Sequence, residues 1–226
     1  MGYPSGSFDA ASTILAIEKY GCTHMDAVPT MVPVLAGRST QVGSESRYLK
    51  SISLAGSMVH AEIIKSCTDE RSLGARHVSA SYGMTEGSCV HAVDNSHLPF
   101  FLGSFPNRIS VGTLTHRAKI RICSPRTRAV LQRGEAGKLH LGGAQVTRGY
   151  LRTTADTLYE NHVDHWIVTG DMAVVDEGGR VFILGRYKDL VIRGGENISP
   201  VGIEYCLDSF TGITVSSYFG VSWERC

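Results

Sequence analysis

The stretch Ser81–Ser88, SYGMTEGS, sets an aromatic ring (Tyr82), a hydroxyl (Thr85) and a carboxylate (Glu86) within five residues, flanked by Gly83 and Gly87. A ring of that kind can stack on a base. A hydroxyl can reach a phosphate oxygen, and a carboxylate is a ligand that a hard divalent cation accepts. The same residue types also make ordinary turns, and a half-buried core tyrosine is the bland alternative for Tyr82. The choice depends on what positions the octet.

From Phe8 the apolar residues recur at mixed three- and four-residue steps, with Asp9 as N-cap and Gly21 as the stop, so the pattern predicts a helix. A short segment over 23–28 follows, and Pro29 opens a second helix through Leu35. Ser51–Ala55 reads as a buried strand ended by Gly56, and 60–72 as a helix with Ile63, Ile64 and Cys67 on its apolar side. Ala75 then leads as a strand into Ser81. Alternating strand and helix predicts a parallel α/β sheet. The octet then lies just past a strand's carboxyl end, where open parallel sheets bind ligands.

After about Pro99 the pattern changes. Short strands are predicted at 118–122, 138–141, 166–169, 172–175 and 180–184, separated by Gly-rich turns, with one helix over 153–159. That is an antiparallel, β-rich pattern. A Gly/Arg/Lys-rich run, Gly185–Gly195, precedes Pro200, a short helical pattern to Leu207 and a last strand over 213–221. The fold class is therefore α/β: a parallel α/β portion (1–98), a β-rich subdomain (99–185) and the start of a small α+β C-terminal domain (186–226).

Bulk composition excludes several classes. A net charge of +1 gives no overall field toward nucleic acid or an anionic membrane. No apolar run approaches the ~18 residues of a membrane span, so no membrane-spanning partner role is expected. Cys22, Cys67, Cys89, Cys123, Cys206 and Cys226 are scattered without a CxxC pair, which predicts reduced thiols and an intracellular protein. Asn197-Ile-Ser199 fits a glycosylation sequon, but no signal peptide precedes it. His162 and His165 form an HxxH pair without a third ligand nearby, so they are expected at the surface. Neither a GxGxxG nor a GxxxxGK[ST] loop occurs, which removes the Rossmann and P-loop readings.

Four segments in order carry a resemblance. They are Ser81-Tyr-Gly-Met-Thr-Glu86, Gly137-Lys-Leu-His-Leu-Gly-Gly-Ala-Gln-Val-Thr-Arg-Gly-Tyr-Leu151, Trp166-Ile-Val-Thr-Gly-Asp171, and Gly185-Arg-Tyr-Lys-Asp-Leu-Val-Ile-Arg-Gly-Gly-Glu-Asn-Ile-Ser-Pro200. Together they resemble the adenylate-forming (AMP-binding) superfamily, and the Gly-Gly-Glu-Asn-Ile-Ser-Pro form is most similar to acyl-CoA and aryl-CoA synthetases. The resemblance implies an ATP-dependent, AMP-forming ligase that activates a small carboxylic acid as its acyl-adenylate and passes it to CoA, or to a carrier-protein thiol. It implies Glu86 as the Mg²⁺ carboxylate, Thr85 on a phosphate oxygen, and Tyr82 with Gly83 against adenine. Gly56 and Ser57, in the turn Leu54-Ala-Gly-Ser57, would line the acyl and adenine side of the pocket. Asp171 resembles the acid that accepts from both ribose hydroxyls, Arg186 the basic residue on ribose or phosphate, and Lys188 the hinge of a swinging C-terminal domain. Gly194 and Gly195 would let the next loop approach the thiol channel.

Two parts of the family pattern are missing: a Ser/Thr/Gly-rich phosphate loop ahead of Met1 and a lysine beyond Cys226. The chain thus resembles the central part of a longer enzyme, inactive by itself, and a non-catalytic truncated remnant is the alternative. Fatty acid or secondary metabolism, in the cytoplasm or the peroxisome, is the expected setting.

Overall fold

The structure is a computed structural model. It describes residues 7–42, 48–88, 90–91, 93–94, 109–152, 166–193 and 196–198, with single positions at 200, 203, 204, 207, 210, 218 and 219.

The first part alternates as expected: α1 (Ala10–Tyr20), β1 (His24–Ala27), α2 (Met31–Val42), β2 (Ser51–Leu54), α3 (Ala61–Thr68) and β3 (His77–Ala80). Strands β1, β2 and β3 are parallel neighbours, with Leu54 opposite both Ala27 and Ala80. Ile52, Leu54, Val78 and Ala80 are buried beneath Ile14, Ile17, Val32, Leu35 and Ile64 from the helices.

Helix α1 keeps both sequence-predicted caps. Asp9 accepts from the Ser12 amide at 2.7 Å. Gly21 sits at φ 58, and the amides of Gly21 and Cys22 close back on the carbonyls of Glu18 and Ile17, which satisfies groups a helix end otherwise orphans. Helix α2 departs from expectation: it starts after Pro29 and runs seven residues past Leu35. Pro33 falls in its first turn, where a missing N–H costs nothing. The extra turns are fixed from outside the helix, because buried Ser39 donates to the Ser72 carbonyl at 2.8 Å. Helix α3 ends at Thr68, short of the expected 72. Asp69 takes over there, accepting from the Arg71 amide at 2.9 Å and starting a turn that buries Leu73.

Four short strands follow, β4 (Gly83–Met84), β5 (Gly87–Ser88), β6 (Val90–His91) and β7 (Val93–Asp94), then β8 (Thr113–Leu114). Strand β7 extends the first sheet antiparallel to β3. The second sheet is formed by β9 (Ala118–Cys123), β10 (Gly137–Gly143), β11 (Ile167–Val175) and β12 (Val181–Arg186). It is antiparallel throughout, in the order β12-β11-β10-β9. The two strands expected at 166–169 and 172–175 are one nine-residue strand. It bends at Gly170, φ 81, and slips register against β12 between Met172 and Ala173, so Thr-Gly-Asp is a kink and not a connecting turn.

The second sheet buries residues on both faces: Ile122, Leu139, Leu141, Ile167 and Val181 on one, Val174, Phe182 and Leu184 on the other. The segment 109–112 ties the two sheets together. Ile109 belongs to the first core, while the Val111 amide donates to the Val181 carbonyl at 2.9 Å and the Val181 amide donates to the Gly112 carbonyl at 2.8 Å. A single 3₁₀ turn, Tyr187–Asp189, leads into the hairpin β13 (Val191–Arg193) and β14 (Glu196–Ile198). The helix expected over 153–159, Gly194, Gly195, and the HxxH pair lie outside the described residues, as does most of the strand expected over 213–221. Tyr218 and Phe219, which are described, are not in a strand.

Candidate functional site

The octet is a hairpin and not an open loop. Gly83 pairs with Ser88 and Met84 with Gly87, which leaves Thr85 and Glu86 as the two-residue turn. The turn is strapped from outside: the Thr147 amide donates to the Glu86 carbonyl at 2.7 Å, and Gly87 makes an antiparallel bridge to Val146. The Tyr150 hydroxyl donates to Glu86 Oε1. That contact pushes the Tyr150 phenol above the ordinary tyrosine range, the hydrogen bond to Glu86 being the main cause. Glu86 Oε2 has no hydrogen-bond partner among the described residues.

Tyr82 precedes the hairpin. Its half-buried ring packs against the core of the second sheet, and its hydroxyl donates to Asp171 Oδ2 at 2.5 Å. Asp171 is only 6% exposed, although it carries a carboxylate. It lies opposite Arg186 in the β11–β12 register, and Arg186 Nε donates to its Oδ1 at 3.0 Å. The backbone at the kink is held by Thr169, whose hydroxyl accepts from the Asp171 amide at 3.0 Å and donates to the Leu139 carbonyl at 3.0 Å. Two charge-assisted hydrogen bonds thus compensate the burial of the carboxylate.

Gly56 and Ser57 follow β2 as the octet follows β3. The Ser81 amide donates to the Leu54 carbonyl at 2.9 Å, so both loops leave the same carboxyl edge of the first sheet. Gly56 has φ 89, with Val28 Cγ1 3.3 Å from where a Cβ would stand, and both conditions favour glycine. Lys188 is exposed in the 3₁₀ turn, outside the Asp171 network and just past Arg186. Its neighbour Tyr187 carries the Lys138 ammonium 5.5 Å from its ring centre.

Tyr82, Asp171 and Arg186 are therefore joined by hydrogen bonds, and Gly83, Thr85 and Glu86 belong to the hairpin that starts directly after Tyr82. Tyr150 and Thr169 were missed from sequence. Both lie inside the quoted segments, but their roles depend on partners that no local pattern names. Among the described residues no three His, Cys, Asp or Glu side chains cluster as a metal site. A lone carboxylate with one open oxygen is what Mg²⁺ requires when phosphates and water complete its shell, so Glu86 fits such an ion.

Comparison with known proteins supplies the family. The model for the AMP-binding enzyme family matches residues 1–151, a span that ends before Asp171, Arg186 and Lys188. An acyl-CoA ligase of Ajellomyces capsulatus is 33% identical over 97% of this chain and 37% of its own length. A mitochondrial medium-chain acyl-CoA ligase of Danio rerio is 29% identical over 99% of this chain and 36% of its own. The chain thus spans little more than a third of the curated relatives it matches. Among solved structures, the O-succinylbenzoate coenzyme A synthetase of Bacillus subtilis, in complex with ATP and a magnesium ion, superposes with a TM-score of 0.74 at 25% identity, covering 96% of this chain and 42% of that one. ATP-bound MatB of Rhodopseudomonas palustris gives 0.75 at 26% identity, covering 95% and 40%. With a family model matching two-thirds of its length and an α/β-plus-antiparallel architecture shared with these structures, the chain belongs to the AMP-binding, adenylate-forming enzyme family.

Proposed function

We propose that this segment forms part of the active site of an AMP-forming acid–CoA ligase. The observation that carries the reading is the Tyr82–Asp171–Arg186 network. A carboxylate offers about four acceptor positions. Tyr82 occupies one on Oδ2 and Arg186 one on Oδ1, so capacity remains for a pair of ribose hydroxyls. The tyrosine anchored on the same carboxylate sets its ring beside them, as a platform for adenine.

In the first step a carboxylate oxygen of the acid attacks the α-phosphorus of ATP. A new P–O bond forms, the bond to pyrophosphate breaks, and pyrophosphate leaves. In the second step a CoA thiol attacks the acyl carbon, a C–S bond forms, AMP leaves and the thiol proton goes to solvent. A bound Mg²⁺ would supply positive charge against the phosphates. Glu86 would present its free Oε2 toward that ion while Tyr150 holds the other oxygen, and Thr85 at the turn would donate to a phosphate oxygen. Arg186, exposed at its tip, would face ribose or phosphate. Gly56 and Ser57 would border the acid, and Gly83 would let the base approach the backbone. Lys188 would be the pivot between the two half-reactions.

The test is ATP–pyrophosphate exchange across a magnesium titration, in a full-length ligase carrying these residues. Glu86→Gln should depress exchange by on the order of 10²-fold, the scale of losing one preorganised electrostatic group. An unchanged rate with unchanged magnesium dependence removes Glu86 from the site, and absence of exchange in the parent with any acid offered favours a non-catalytic remnant.

A further inference from the structure

The near-neutral net charge conceals a segregated one. Residues 109–152 hold nine lysines and arginines against one acid, Glu135. The charge concentrates on and around β9, the outermost strand in the order of the second sheet. The strand's C-terminal end turns back, so that Cys123 bridges Val130 and the Leu131 amide donates to the Ile122 carbonyl at 2.8 Å. Arg117 stands in the turn before the strand, Lys119 and Arg121 alternate along it, and Arg126 and Arg128 stand in the turn after it, with no acid from 117 to 128. At the strand's spacing of about 3.3 Å per residue, this makes a row of cations along one side of the molecule.

Arg121 is engaged over the Trp166 ring, 4.5 Å to its centre, and on His140. The other four are exposed and make no ion pair among the described residues. Arg117 and Arg128 have φ 64 and 62, a left-handed conformation that L side chains adopt at a cost. The turn bearing Arg126 and Arg128 is nonetheless well fixed: Ser124 Oγ accepts from the amides of Arg126 and Thr127, and the Arg128 amide donates to the Ser124 carbonyl at 3.0 Å. At each end of the row a large apolar side chain faces water, Leu114 at 42% and Val130 at 60% exposure.

Charges that protect a sheet edge from mispairing would account for Lys119. They do not account for Arg126 and Arg128, which lie beyond the strand, nor for the apolar ends. We infer that this edge docks on an anionic phospholipid surface, with Arg117, Lys119, Arg126 and Arg128 against the headgroups and Leu114 and Val130 at the acyl boundary. A nucleic acid is the weaker fit. Residues 113–135 contain no Phe, Tyr or Trp for base stacking, and phosphates gain nothing from Leu114 or Val130.

Flotation of the 226-residue chain with lipid vesicles tests this without any activity. Vesicles of phosphatidylcholine with phosphatidylglycerol should carry the protein, phosphatidylcholine alone should not, and binding should fall as salt rises. Arg126→Gln and Arg128→Asn should each weaken binding about fivefold, the effect of one cation at an anionic surface. Val130→Ser should weaken it roughly tenfold, with the circular dichroism melt unchanged in all three. Equal binding to neutral vesicles, no binding to anionic ones, or binding indifferent to the arginines overturns the proposal. Retention on duplex DNA with vesicles left unbound overturns it too and assigns the edge to nucleic acid.

Discussion

The Tyr82 hydroxyl lies 2.5 Å from Asp171 Oδ2, joining the end of the first sheet to the kink of β11 across 89 residues of chain. The tyrosine thus serves as a half-buried structural residue through its hydroxyl and is offered as a base platform through its ring. The two uses can be separated. Tyr82→Phe keeps the ring and removes one hydrogen bond to a buried carboxylate, which should lower stability by about 1–2 kcal/mol and leave the KM for ATP nearly unchanged. Asp171→Ala should instead raise the ATP KM with a smaller effect on kcat, because ribose contacts are made about equally in ground and transition states. Urea midpoints and initial rates give both numbers; a normal ATP KM in Asp171→Ala would count against the ribose role.

The Tyr150–Glu86 contact makes a pH prediction. Tyr150 has its folded pKa raised, so the stability it contributes is fully present below the unfolded tyrosine value of about 10 and is lost as pH rises through the higher folded value. Burial also raises the Tyr187 phenol, so an ultraviolet titration should show both Tyr150 and Tyr187 ionising late. In Glu86→Gln only the Tyr150 component should return toward the ordinary range. No movement in that variant would mean the phenol is not held by this carboxylate.

Lys188→Pro tests the pivot. Proline fixes φ near −65° and restricts the residue before it, so a turn at 188 could no longer exchange between two conformations. Acyl-adenylate formation should persist in part while thioester formation falls much further. Equal losses in the two half-reactions would place the pivot elsewhere or indicate misfolding.

Gly142 is a packing prediction. A Cβ there would stand 2.9 Å from Trp166 Cε3, and the ring is itself the platform for Arg121. Gly142→Ala should cost about 1–3 kcal/mol through overpacking and shift the Trp166 emission, read in a background where Trp223 is replaced by Phe. An unshifted spectrum with normal stability would show that the indole does not rest on this glycine.

What the sequence determined by itself was local. Asp9 and Gly21 mark the ends of α1 because a cap is a contact between a residue and backbone three to five positions away. The alternation around 51–55 and 75–81 reports which faces are buried, and so the parallel sheet and the place of the octet at its edge. The four ordered segments carried the family. Tertiary structure decided the rest. The length of α2 depends on Ser39 reaching Ser72, and the unity of β11 depends on β10 pairing with it on both sides of the Gly170 bend. Glu86 acquires Tyr150, and Tyr82 acquires Asp171, only once strand register brings distant segments together. The same holds for charge: the arginines of 117–128 are plain in the sequence, but that they stand along the outer side of the second sheet follows from β9 being the last strand in its order. Caps and periodicity are short-range consequences of backbone geometry. Partners across 64 or 89 residues are fixed by register and packing, which no local window contains.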